Sequence, residues 1–407
     1  MARPIMTPSR RVIAFINVAH LLAHLLMLLF PTAVLGMGRE FNRPYGELIA
    51  LSLGSFIAFG AGSMPAGWLG DRWSQRNMMA VFFIGIGLAA SVTGFATTPL
   101  MLAAGLTGIG LFASIYHPVG TAMLVAHADF VGREIGVNGV WGNIGVAFAA
   151  LIAGALTQWL GWRWTFFVPG CFALMVGLLY LFMVPPGPNR RKKAAQKVVG
   201  FPTSVIVRAF AVLGFVTLAG GVTFNATTVA LPKLFAERVS ALTTGTSGVG
   251  VVVCLVYVIG ATAQLIVGKV IDRRPLKTAF VPLALLQAPC LLLAAVTSGW
   301  WTVLAALGAI FAIFGQVTIN DGMVAKYADS TWRARVYAVR YLFSFGVSSF
   351  AVPLVVYLHS RGGFIILFEV LSAFGALVLL GALFFPYRPD ELQMAVGRKA
   401  EPVSAKQ

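Results

Sequence analysis

The sequence predicts an all-α membrane protein with twelve transmembrane helices in two six-helix, pseudo-symmetric bundles. Three observations predict it. Apolar residues gather in runs of roughly 20, enough to cross about 30 Å of hydrocarbon as a helix. Of 407 residues, 58% are hydrophobic and only 11% charged, about half the charge of an ordinary soluble chain. Three short stretches also recur in the same order, about 200 residues apart.

The spans fall near 11–36, 46–70, 77–96, 99–126, 133–160, 163–184, 207–236, 245–268, 278–297, 300–326, 333–358 and 364–385. The first follows Arg10-Arg11 and is too long for a signal-peptide core, so it is expected to remain as a helix. Cys171, Cys254 and Cys290 fall inside spans without paired spacing and read as small packing residues. The polar stretch PPGPNRRKKAAQKVVGFP divides the spans six and six. The expected organisation is a bundle over 1–184, a basic cytoplasmic linker over 185–206, a second bundle over 207–387 and a cytoplasmic tail over 388–407.

The net charge of +17 invites a nucleic-acid reading, and the placement of the charges excludes it. All but seven of the 30 Lys and Arg lie in the N-terminus, the even-to-odd connections and the C-terminus. The exceptions are Arg39, Arg43, Arg163, Lys233, Arg238 and Arg361 on the alternate side, and Arg340 within a span. Basic residues collect on the cytoplasmic face, so both termini are expected inside a bacterial inner membrane. The charge reports topology. No nucleic-acid partner is expected, and the lipid bilayer is the surrounding medium.

The repeat is specific. GWLGDRWSQR at 67–76 answers to GKVIDRRPLK at 268–277, which pairs Gly67 with Gly268 and Asp71 with Asp272. Pro31 pairs with Pro232, and MLVAHAD at 123–129 with MVAKYAD at 323–329. Parallel six-helix halves are the architecture of a rocking transporter with its site between them.

The stretch GWLGDRWSQR resembles the loop signature of the major facilitator superfamily, in which Gly67, Leu69, Asp71, Arg72 and Arg76 match. Ser74 and Gln75 depart from it. The second copy keeps Gly268, Asp272 and Arg273. The resemblance implies that Gly67, Asp71, Arg72, Arg76, Asp272 and Arg273 gate the conformational change. A carboxylate at a helix end can bond free N–H groups of a facing helix, tying the halves in one state and releasing them in the other.

The resemblance also implies that the first, fourth, seventh and tenth helices line the cavity. Polar side chains in the spans give an independent indication, because in hydrocarbon they must face protein or water. The first span carries Asn17, His20 and His24 within an otherwise greasy HLLAHLLMLLFP setting; the fourth carries Ser114, Tyr116, His117 and Thr121. The seventh carries Thr223, Asn225, Thr227 and Thr228, and the tenth Gln316, Thr318, Asn320 and Asp321. Asn17, His20 and His24 share one helix face. Histidine there suits proton exchange or an anionic group; the plainer reading is a hydrogen bond to a neighbour. His20 and His24 at i, i+4 are spaced to share a metal ion, but no carboxylate or thiol joins them, so neither a metal nor a cofactor is expected.

Asp321 and Arg340 lie about 10 Å deep on consecutive spans and should pair, since either alone is costly there. The pair reads as a fixed brace or as a switch opened by a proton or an anionic solute. Tyr341 flanks Arg340 on the same helix, with Tyr337 and Ser344. Glu369 reads as structural. GVNGVWGNIG at 136–145 spaces four glycines three apart, a close-packing signal that also carries Asn138, Trp141 and Asn143.

Drug antiporters of the superfamily carry an Arg where this chain has Ala104, and a proline-containing run in the fifth span that GVAFAALIAGAL lacks. The first and fourth spans instead resemble, loosely, the fosmidomycin-resistance-type branch. That resemblance implies a compact, anionic solute, which His20, His24, His117 and Arg340 could accommodate; proton-coupled export of such a small organic solute or drug, by a chain functional as a monomer, is the first expectation. Proton-driven uptake of a small organic acid or metabolite is the alternative. No phosphate-binding loop is present for an ATP-driven pump, and nothing in the pattern favours an enzyme.

Overall fold

The computed structural model describes residues 7–129, 131–187, 201–328 and 333–387. The expected tail, and residues 188–200 of the expected linker, lie outside the described residues. Ten helices are continuous at the scale of a membrane: α1 (Pro8–Gly36), α2 (Tyr45–Arg72), α3 (Gln75–Gly94), α4 (Pro99–His127), α5 (Val131–Trp159), α6 (Trp164–Met183), α7 (Thr203–Arg238), α8 (Gly245–Ile271), α9 (Leu276–Val296) and α10 (Trp300–Tyr327). The run Arg333–Phe384 is broken at Gly362 and Gly363, where φ/ψ are −164/25° and 63/−152°. The positive φ of Gly363 is open to glycine at little cost. The break yields α11 (333–361) and α12 (364–384). Eleven stretches among the described residues are long and apolar enough to cross a membrane, and the last of these contains the break.

Local chemistry sets the helix starts. Thr7, Ser74 and Thr98 cap α1, α3 and α4 by accepting from the backbone N–H of Arg10, Asn77 and Met101, which satisfies donors the first turn leaves free. Proline stands at the first helical position of α1 and α4, where its missing N–H costs nothing. The outside of the bundle is apolar: Leu100, Phe182 and Phe350 are exposed. Exposed Trp159, Trp164, Trp300 and Trp301 ring one end and Trp68 and Trp73 the other, as aromatic belts do at membrane interfaces.

Basic side chains tie each half together at the end where Pro8 and Tyr387 lie, here called the near end. Arg76 donates from Nε and Nη2 to the carbonyls of Val184 and Leu181, at 2.9 Å each, at the end of α6. Its repeat partner Lys277 does the same for Leu383 and Phe385, at 2.6 and 2.8 Å, at the end of α12. Arg11 and Arg208, near the starts of α1 and α7, add a bond each to Met183 and Phe384. A cation on the last carbonyls of a helix satisfies acceptors and complements the helix dipole.

The two halves meet at the far end and part at the near end. Near the far end of α5 and α8, Gly154 stands against the backbone of Thr246, and Gly250 against Ala150. There Thr246 Oγ1 donates to Gly154 O at 3.0 Å, and the Ser247 N–H to Gln158 Oε1 at 2.9 Å. Between α2 and α11, Ser349 Oγ reaches Phe56 O at 3.4 Å. The Tyr45 and His359 rings stand 5.9 Å apart. At the near ends of α5 and α8, a side chain placed at Gly136, Gly139 or Gly268 would meet nothing within 4 Å. α5 and α8 therefore leave these near-end positions without a facing neighbour.

Candidate functional site

The site is built where α1, α4 and α5 converge. Pro118 lacks an N–H and cannot continue the α-helical ladder; α4 accommodates it with one π-helical turn, Tyr116–Gly120. Such turns recur at functional sites. This one brings the His117 ring to 5.4 Å from His20 and 5.6 Å from His24, centroid to centroid. The His20 and His24 Nε2 atoms stand 3.2 Å apart. Both of these histidines are half-buried. Phe59 of α2 closes the group with its ring 5.9 Å from His117.

Asn138 organises the rest. Its backbone carbonyl accepts from His20 Nδ1 at 2.8 Å. Its side-chain oxygen accepts from the Tyr116 hydroxyl at 2.7 Å, and its amide donates to Asn17 Oδ1 at 2.9 Å. Tyr116, fully buried, stacks on the His20 ring at 4.6 Å. Gly142, one turn further along α5, leaves the room that ring fills: a Cβ there would sit 2.6 Å from its Cε1 and Nε2. The structure thus joins Asn17, His20, His24, Tyr116 and His117 in one group. Asn138 belongs with them, although the sequence reading took its segment chiefly as a packing stripe. The available signal was one of two asparagines, Asn138 and Asn143, in a glycine-rich stretch.

The second half has its own polar chain. Gln316 of α10 donates to Gln287 Oε1 at 2.6 Å, and Gln287 of α9 to Thr223 Oγ1 of α7 at 2.8 Å. Gln287 is fully buried and was not picked out from the sequence, since α9 is not among the helices expected to line the cavity. Asn225 turns back to its own helix, donating to Gly221 O at 2.8 Å. Asn320 Oδ1 is buried without a hydrogen-bond partner among the described residues. Arg340, 8% exposed, donates from Nη1 to Asp321 Oδ1. The Asp321 side chain is 39% exposed; the guanidinium end of the pair is buried and the carboxylate end partly open. The side chain of Tyr341 lies outside the described residues. Across the halves, Asn143 of α5 donates to Gln264 Oε1 of α8 at 2.6 Å.

The residues expected to gate are not gathered in one contact. Gly67 and Gly70 let α2 rest on Pro118 and Val119 of the π turn, where a Cβ would stand 3.1 and 2.9 Å from them. Asp71, Asp272 and Arg273 are exposed, and the Arg72 guanidinium lies over the Trp68 ring at 4.8 Å. Arg76 is committed to α6 as described.

Comparison with known proteins agrees with this architecture. Residues 16–273, more than half of the chain, match the sequence model of the Major Facilitator Superfamily. The puromycin resistance protein pur8 of Streptomyces alboniger is 34% identical over 124 residues, 29% of this chain and 24% of that protein. An Arabidopsis thaliana protein named for glycerol-3-phosphate transport is 29% identical over 165 residues, 37% of this chain and 30% of that one. The chain spans less than a third of the length of these curated relatives. A solved bacterial homolog of the human lysosomal transporter Spinster, in an inward-facing and unoccupied conformation, superposes with a TM-score of 0.74 at 14% identity. The superposition covers 99% of this chain and 100% of that one. The chain belongs to the Major Facilitator Superfamily and has the multi-pass helical architecture of a membrane protein.

Proposed function

We propose that the protein is a proton-coupled secondary transporter of the bacterial inner membrane that exports a small, anionic organic solute or drug. The Asp321–Arg340 pair carries the reading. Burying a guanidinium beside a half-exposed carboxylate makes a charge balance that a proton or an anion from the cavity can reset. A proton on Asp321 would release Arg340 to hold an anionic group; its loss would restore the pair and expel that group. With both termini cytoplasmic, as the distribution of basic residues supports, the open near end faces the cytoplasm and this state is ready to load. Asp71 and Asp272, exposed here, would bond across the near end when it closes. One chain suffices, because the site is assembled within it.

Proton-driven uptake of a small organic acid is the second reading, favoured by the relative named for glycerol-3-phosphate transport. Purified protein in liposomes, with external pH followed as anionic solutes and drugs are added, separates the two. Acidification of the outside supports exchange and export; alkalinisation supports uptake. Asp321→Asn should abolish gradient-driven accumulation and leave counterflow of the solute. Loss of counterflow as well would remove Asp321 from the coupling step.

A further inference from the structure

We propose that His20, His24 and His117 form a binding site for a transition-metal dication of the Zn²⁺, Co²⁺ and Ni²⁺ class, with a fourth coordination position open to the cavity. One imidazole nitrogen from each of the three lies within 4.8 Å of those of the other two. Two imidazole nitrogens bound to one tetrahedral ion at about 2.0–2.1 Å stand about 3.4 Å apart. The His20 and His24 Nε2 atoms are already at 3.2 Å. The His117 ring, with its centroid 5.4 Å from His20 and 5.6 Å from His24, supplies the third nitrogen.

The surroundings match what a histidine-ligated metal requires. A metal-bound imidazole gives its other N–H to a carbonyl or carboxylate, which fixes the tautomer and aims the free lone pair. His20 Nδ1 stands 2.8 Å from the Asn138 carbonyl, so with the proton on Nδ1 the Nε2 lone pair faces His24. That carbonyl is itself held, because the Asn138 side chain is bonded to both Tyr116 and Asn17. Tyr116 stacking and the bare Cα of Gly142 set the plane of the His20 ring. Imidazole ligands suit Zn²⁺, Ni²⁺ and their neighbours and not Mg²⁺, which prefers oxygen. Three neutral ligands leave the charge of the ion to water and to an anion in the open position. The half-exposure of His20 and His24 gives both access. The sequence showed two of the ligands on one helix; the third arrives through the π turn, which no spacing rule announces.

The test is calorimetric titration of Zn²⁺ into full-length, tag-free protein in detergent after treatment with a chelator, with Mg²⁺ as the control. One Zn²⁺ per chain and no Mg²⁺ is the expected result. His24→Gln and His117→Gln should each weaken Zn²⁺ at least tenfold, whereas His127→Gln, at the end of α4, should leave it unchanged. Failure to saturate at millimolar Zn²⁺, or equal affinity in the double variant, overturns the site. Should those variants not fold, Co²⁺ loaded onto the unaltered protein decides. The intense visible bands of a four-coordinate ion support the site, and the weak spectrum of an octahedral one refutes it. Both readouts are independent of the direction of transport.

Discussion

A methyl group added at Gly154 should shift the protein out of the conformation described. A Cβ there would stand 3.1 Å from the carbonyl carbon of Thr246 and 3.2 Å from the Cα of Gly250, and closer still to the Thr246 oxygen. All three atoms are backbone, so no rotamer change relieves the clash. Ordinary contact begins at 3.4–4 Å, so α5 and α8 must separate by some tenths of an ångström or more along their tightest stretch. Overpacking of this kind costs about 1–3 kcal/mol. The cost falls only on the state in which the far ends touch, so it converts into a change of roughly 5- to 150-fold in the balance between far-end-closed and far-end-open forms. Spin labels on the far ends of α5 and α8, read by pulsed dipolar spectroscopy, would report that balance. Gly154→Ala should move population to longer separations while thermal unfolding changes little. An unchanged distance distribution with a lowered Tm would mean that the contact is only core packing and that the far end does not open there.

Three further outcomes follow from the geometry. Arg340→Met should cost about 1–3 kcal/mol in thermal unfolding, less than the ~3–5 of a fully buried pair, because Asp321 is 39% exposed; the charge-swapped double variant should recover most of it. Glu40, in the connection after α1, is held by Arg163 through both guanidinium nitrogens at 2.6 and 3.0 Å. That bond, and then one from Trp162, keeps its carboxyl below the ordinary value of 4.5. Its contribution is therefore present above pH ~4.5 and lost as pH falls through the lower folded value. Glu40→Gln should be slightly less stable than the parent at pH 7, by under ~1 kcal/mol for so exposed a pair, with the gap closing in acid melts; a gap that persists or widens in acid refutes the assignment. Gln287→Leu should cost about 1–3 kcal/mol by stranding Gln316, and an unaffected Tm would show that water replaces the lost partner.

The broad architecture was legible because a bilayer imposes it. Apolar runs of span length and the offset repeat specify twelve helices in two halves without any knowledge of packing. Arg340 with Asp321 was legible too, since two charges at one depth in hydrocarbon have few other partners. Other features depended on three-dimensional detail. Arg76, grouped by its motif with the gating residues, reaches back to α6, and its repeat partner Lys277, read as a flanking charge, does the same for α12. Both functions depend on where the sixth helix of each half ends, which lies more than 100 residues away in sequence. Asn138 and Gln287 were hidden by their neighbours, a glycine stripe in one case and an unbroken apolar helix in the other. His117 joined His20 and His24 only because Pro118 forces a wider turn, and helical spacing counted at 3.6 residues cannot foresee that.

That wider turn links two parts of the protein that are separate on the chain. Over five residues it holds His117 against the cluster, Pro118 against Gly67 and Val119 against Gly70. A shift of His117 toward a bound ion or solute would be passed by a rigid proline ring to the end of α2, which carries Asp71. If the proposed roles hold, the turn would act as a rocker, with the histidine cluster on one arm and the Asp71 end of α2 on the other. The absence of side chains at 67 and 70 is what lets that end of α2 sit directly on it.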